Sequence, residues 1–123
     1  MSGYIKTDVE LTIKEGKIDD LKLIVDTLIK MTDANEPNTL AYEWYVSEDG
    51  KTCHLLETFK DSDAFMLHLG NASDMFGKLW ELAPLTGFKI YGSPSAELRQ
   101  ALDALGVQYF MHLNERVNGV PQR

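Results

Sequence analysis

Basic residues are in short supply. The 123-residue chain carries 12 Lys and Arg against 19 Asp and Glu, a net charge of −7 with histidine neutral. A phosphate backbone calls for a basic surface, so nucleic acid is excluded as a partner. Anionic membranes are excluded on the same ground. The plain reading of the acidity is solubility. Cysteine is scarcer still. Cys53 stands alone, so no intrachain disulfide forms and nothing points to an oxidising compartment. Its strand position and the lack of a basic cluster nearby make it an inert core thiol. No apolar run approaches the roughly 20 residues that a membrane span requires. The opening MSGYIKTDVE lacks the basic and apolar regions of a secretory signal, so the cytoplasm is the expected location. The sequon Asn71-Ala72-Ser73 falls in an expected helix and reads as accidental. There is no glycine-rich phosphate loop or dinucleotide fingerprint, and no nucleophile elbow. His54, His68 and His112 fall at no metal-ligand spacing. Neither a metal nor a cofactor is expected.

What is present is ordinary for a globular domain: 44% hydrophobic and 25% charged residues. A chain of this length buries roughly two-thirds of its unfolded surface, enough for one core and not for two. One domain over residues 1–123 is expected, with a core at about 4–92, a helix-strand extension at 93–114 and a frayed tail at 115–123.

Residues 8–14 alternate, with Val9, Leu11 and Ile13 on one side, as a half-buried strand does. From Ile18 to about Asn35 the apolar residues Ile18, Leu21, Val25 and Leu28 recur at helical spacing, and Pro37 ends that run. Thr39 to Val46 and Lys51 to Phe59 read as two strands joined at Asp49-Gly50, a hairpin signal. The second has Cys53, Leu55, Glu57 and Phe59 on one face and His54, Leu56 and Thr58 on the other. Residues 60–63 offer N-caps, and Phe65, His68, Ala72, Phe76 and Leu79 then form a helical stripe. Gly70 and Gly77 weaken this helix, so a break near Gly70-Asn71 is expected. A fourth strand follows over 85–92. Ser93 and Pro94 read as cap and first residue of a short helix bearing Leu98, Ala101, Leu102 and Leu105. Gly106 closes it, and Val107, Tyr109, Met111 and Leu113 alternate as a fifth strand. The order is βαββαβ with an appended αβ unit, an α+β ferredoxin-like arrangement with an antiparallel sheet. Apolar residues on both faces of the strands point to a second copy covering the outer face, giving a homodimer.

The runs EPNTLAYEWYVSED, LLETFKD and DAFMLHLGNASDMF resemble the antibiotic biosynthesis monooxygenase family, also called quinol monooxygenase-like. The resemblance covers about residues 8–92. Asn38 stands where the family usually has glycine, and asparagine tolerates the same left-handed turn. The family implies a dimeric α+β barrel and cofactor-independent oxygenation of a small quinol or polyphenolic aromatic. Haem-degrading relatives carry asparagine on the first strand, which DVELTIK lacks. They also carry tryptophan and histidine on the second helix where this chain has His68 and Trp80 in exchanged places, which argues against haem chemistry.

His68 lies in an apolar stripe and should face the sheet. Either it is a base or hydrogen-bond partner for a substrate hydroxyl, or it is a core histidine bonded to a neighbour. Glu57 shares an inward face with Leu55 and Phe59, where a carboxylate needs a partner. Its candidate partners are His68, Tyr42 or a lysine. Glu57 and His68 are therefore the expected catalytic pair. Tyr42, Trp44, Phe65 and Trp80 are the expected substrate-binding walls, or else core and dimer interface. The expected function is cofactor-independent oxygenation of an electron-rich aromatic, with a non-catalytic binding or structural barrel as the alternative.

Overall fold

The structure is a computed structural model that describes residues 3–119. Residues 1–2, the start of the opening, and 120–123, the last of the expected tail, lie outside it. Five strands and three helices follow one another as β1 (Ile5–Thr12), α1 (Ile18–Asn35), β2 (Thr39–Val46), β3 (Thr52–Phe59), α2 (Ser62–Leu82), β4 (Leu85–Tyr91), α3 (Ala96–Leu102), a 3-10 turn (Asp103–Leu105) and β5 (Gln108–Phe110). The sheet runs β2-β3-β1-β4-β5. Its first four strands pair antiparallel, while β5 adds parallel to β4. The sheet is therefore mixed rather than purely antiparallel. A parallel partner needs a crossover, and α3 with its 3-10 turn provides it.

The period-two pattern sets the two faces of the sheet. Ile5, Thr7, Val9 and Leu11 of β1 are buried, as are Cys53, Leu55, Glu57 and Phe59 of β3. In register, Tyr42 lies opposite Glu57 and Trp44 opposite Leu55, so these four share the face that the helices cover. The opposite face carries Lys6, Asp8, Glu10, Glu43, His54 and Lys89 among Tyr45, Leu56 and Tyr91. Leu40 and Val46 at the ends of β2 are exposed.

Helix α1 begins and ends where the spacing places it, burying Leu21, Leu28 and Thr32. Its last backbone bond runs from the Glu36 N–H to the Thr32 carbonyl at 2.9 Å. Glu36 then leaves helical geometry (φ −134°, ψ 76°), as a residue before proline does. In α2, the Asp61 carboxylate caps the first turn by accepting from the Ala64 N–H at 2.9 Å. The expected break at Gly70 does not occur: α2 runs unbroken for 21 residues. Nothing lies within 4 Å of where a Cβ would stand on Gly70 or Gly77. Both glycines face outward, and packing of the opposite stripe holds the helix together.

Beyond β4 the cap of α3 is Ser95, whose hydroxyl accepts from the Leu98 N–H at 3.1 Å; Ser93 and Pro94 precede it. The Ser95 N–H donates to the Ser62 hydroxyl at 2.9 Å, tying the start of α3 to the start of α2. Leu98 and Leu102 are buried within the same chain, and Met111 and Leu113 are exposed. Ala101 is exposed too. The fifth strand thus stops at Phe110, because only three residues find partners on β4. No helix among the described residues is long and apolar enough to cross a membrane.

Candidate functional site

Three ionisable side chains meet between the helices and the sheet. His68 comes from the buried stripe of α2, Glu57 from the inward face of β3, and Glu36 from the end of α1. All three are buried. His68 Nδ1 lies 2.8 Å from Glu36 Oε1, and Nε2 lies 3.2 Å from Glu57 Oε2. Each carboxylate has further donors. The Thr7 hydroxyl donates to Glu57 Oε1 at 2.7 Å. The Thr39 hydroxyl donates to Glu36 Oε1 at 2.9 Å, and the Asn71 amide to Glu36 Oε2 at 3.1 Å. A carboxylate at a helix C-terminus faces the negative end of the helix dipole, and the last turn of α1 holds no basic residue. The three donors on Glu36 offset that cost.

An imidazole that faces an acceptor at each nitrogen has to carry a proton on each. The electrostatics agree. Burial pulls His68 toward its neutral form, but the hydrogen bonds and charges of Glu57 and Glu36 outweigh burial and hold its pKa above the ordinary value. Geometry and electrostatics together favour the imidazolium form of His68 between the two carboxylates. Tyr42 stands edge-on to the imidazole, 5.0 Å between ring centres. Burial foremost, then the charges of Glu57 and Glu36, raises its pKa well above the ordinary value despite the Thr32 hydroxyl, so the phenol keeps its proton.

Glu57 and His68 form part of the wall of a cavity of about 50 Å³. On that scale a single water needs roughly 10–15 Å³. The space takes a few waters or a small ring, and a polycyclic guest would need side chains to move. Tyr42, Trp44, Phe65 and Trp80 all line it, with Leu11, Leu55, Leu79 and Phe88. Phe76 and Trp80 stack at 5.5 Å on one side. Leu105 from the 3-10 turn also lines it, so the C-terminal elements help to enclose it. Glu57 and His68 are the charged groups on this wall, and most of the remainder is apolar.

The six residues singled out in the sequence therefore stand around one cavity, and Glu57 meets His68. The geometry alters the expected division of labour, because neither nitrogen of His68 is left free to act as a base. Sequence reasoning passed over Glu36, Thr7, Thr39 and Asn71. Glu36 opens the EPNT run, but it reads there as the end of a helix, and its partner is 32 positions away. Glu43 and His54 lie on the outer face, where His54 Nδ1 meets Asp8 Oδ1 at 2.7 Å. Cys53 is buried and unpaired by disulfide, and burial pushes its thiol up to about 11. Among the described residues no group of three or more His, Cys, Asp or Glu side chains is arranged to hold a metal ion.

A family model described as antibiotic biosynthesis monooxygenase matches residues 5–76. No curated protein sequence matches significantly. Among solved structures, MupZ from Pseudomonas fluorescens superposes with a TM-score of 0.87 at 21% identity, covering 96% of this chain and 91% of that one. Protein SO0527 from Shewanella oneidensis superposes at 0.61 with 25% identity, covering 73% and 88%. SnoaB, a cofactor-independent oxygenase from Streptomyces nogalater, superposes at 0.65 with 12% identity, covering 77% and 97%. The overlay with MupZ therefore takes in nearly the whole chain, whereas the other two cover about three-quarters of it.

Proposed function

The chain belongs to the antibiotic biosynthesis monooxygenase family, and from that premise we propose that it is a cofactor-independent monooxygenase acting on a small quinol or polyphenolic aromatic. The observation that carries the reading is the charged pair Glu57 and His68 on the wall of a mostly apolar cavity. Glu57 accepts from Thr7 and faces His68, and a carboxylate has capacity for a further donor. It is the group that takes a proton from a substrate hydroxyl. His68 holds the charge of Glu57, and Glu36 holds His68. Tyr42, Trp44, Phe65 and Trp80 supply the walls. The deprotonated ring then adds dioxygen at a carbon bearing hydrogen, and the hydroperoxide loses water to leave a carbonyl. One oxygen atom stays in the product and the other leaves as water. The chain's contribution is a base, a dry wall and positioning.

A homodimer belongs to the same proposal. Tyr45, Tyr91 and Phe110 stay exposed on the outer side of the sheet at 52%, 39% and 43%, and a second sheet packed against them would cover these rings. The small cavity favours a second reading, a dimeric binding or structural barrel without turnover.

Oxygen uptake with naphthohydroquinone decides between the two. The monooxygenase reading expects uptake that Glu57→Gln lowers by roughly 100-fold or more, in line with loss of a positioned base. Uptake equal to the buffer blank, or full activity in Glu57→Gln and His68→Ala, sinks it.

A further inference from the structure

One polar atom on the cavity wall has no task. The indole Nε1 of Trp44 is buried and finds no acceptor among the described residues, and Trp44 lines the cavity. The donors that surround the carboxylates are engaged: Thr7, Thr39 and Asn71 each give a hydrogen to Glu57 or Glu36. The other unpaired buried atom, Thr32 Oγ1, does not border the space. An indole N–H can only donate, and a buried donor without an acceptor is costly. Leu55 lies opposite Trp44 and most of the cavity wall is apolar, so a ligand in the cavity is the natural source of an acceptor.

We propose that Trp44 is a specificity-determining residue that reads a hydrogen-bond acceptor on the ligand through its indole N–H. Its place relative to Glu57 sets the class of ligand. Tyr42 lies opposite Glu57 and Trp44 opposite Leu55 on one inward face, so Trp44 stands one side-chain step along the strand, about 7 Å. The Tyr42 ring sits 5.6 Å from Trp44 and 5.0 Å from His68. A donor and a carboxylate on one wall, about one side-chain step apart, fit a ring with a hydroxyl on one side and a carbonyl on the other. A hydroxyaryl ketone meets both groups. An alkyl phenol meets only Glu57.

This inference rests on the cavity being the ligand site, as proposed above, and not on oxygenation. The test uses the full chain and two matched probes, meta-hydroxyacetophenone and meta-ethylphenol, which differ chiefly in the carbonyl. Trp44→Phe keeps a flat apolar wall and removes the donor. It should weaken the ketone about tenfold, the size of one buried hydrogen bond, and leave the ethyl compound within about twofold. The chain has two tryptophans, so two indole N–H signals appear in a proton–nitrogen spectrum. The ketone should move the Trp44 signal downfield, and the ethyl compound should not. Equal weakening of both probes by Trp44→Phe, or a Trp44 signal indifferent to bound ketone, overturns the inference and leaves the cavity reading intact. Failure of wild type to bind either probe overturns both. If Trp44→Phe does not fold, the wild-type signal decides alone.

Discussion

Two histidine–carboxylate pairs sit on opposite faces of the same sheet. His68 and Glu36 meet at 2.8 Å with side chains 3% and 1% exposed. His54 and Asp8 meet at 2.7 Å with side chains 46% and 27% exposed. The contact is almost the same, and burial separates them. On the outer face, water and salt screen the pair, and such contacts contribute little. On the inner face neither group can return to water, so each depends on its partner. Distance alone says nothing about which pair organises the molecule.

The largest test of this contrast removes the buried cation. His68→Leu leaves Glu36 and Glu57 facing apolar atoms without compensation. It should cost about 3–5 kcal/mol, read as a lowered urea midpoint. His54→Ala on the other face should cost less than about 1 kcal/mol in the same measurement, and less again in high salt. Equal losses for the two would erase the distinction.

Acidity provides the next test. The folded pKa of His68 lies above its ordinary 6.5. A raised value means that the folded state holds the proton more tightly. The stabilisation is fully present below the unfolded value and is lost as pH rises through the folded one. Wild-type stability should therefore fall as pH rises above 6.5 more than that of His68→Leu, measured by urea unfolding across pH. Parallel curves for the two proteins would contradict the buried imidazolium.

The smallest effects sharpen the picture. Thr39→Val and Asn71→Ala each remove one donor from Glu36, and each should cost about 1 kcal/mol. Their losses should not add, since both act on one carboxylate. Gly70→Ala meets open space in α2, so it should stabilise by up to about 1 kcal/mol. A destabilised Gly70→Ala would show that the glycine serves the fold.

Much of the fold is legible in the sequence because periodicity reports which face is buried. The alternation of Val9 and Leu11 and the stripe of Leu21 and Leu28 mark their elements directly. Glu57 and His68 stand out for a related reason, as polar residues breaking apolar patterns. Glu36 breaks no pattern, since it occupies a helix end where polar residues are normal. Its meaning appears only when α1 and α2 pack side by side. The length of α2 misleads for a local reason: glycine propensity predicts a break, while long-range packing along Ala72 and Leu79 sustains the helix. Ser93 followed by proline is the cap on paper, yet Ser95 takes that place, with its N–H tied to the Ser62 hydroxyl. The end of β5 is hidden too, because Met111 and Leu113 continue an alternation for which β4 offers no further partner.

The claim on which the site depends is that His68 is a doubly protonated imidazole locked between two carboxylates. Nitrogen NMR of the histidine rings across the pH range from mildly acid to mildly alkaline tests it most directly. Both His68 nitrogens should keep the signature of protonated ring nitrogens at and above pH 6.5, the ordinary value. A His68 nitrogen that loses its proton below pH 6.5, its ordinary value, would contradict the account.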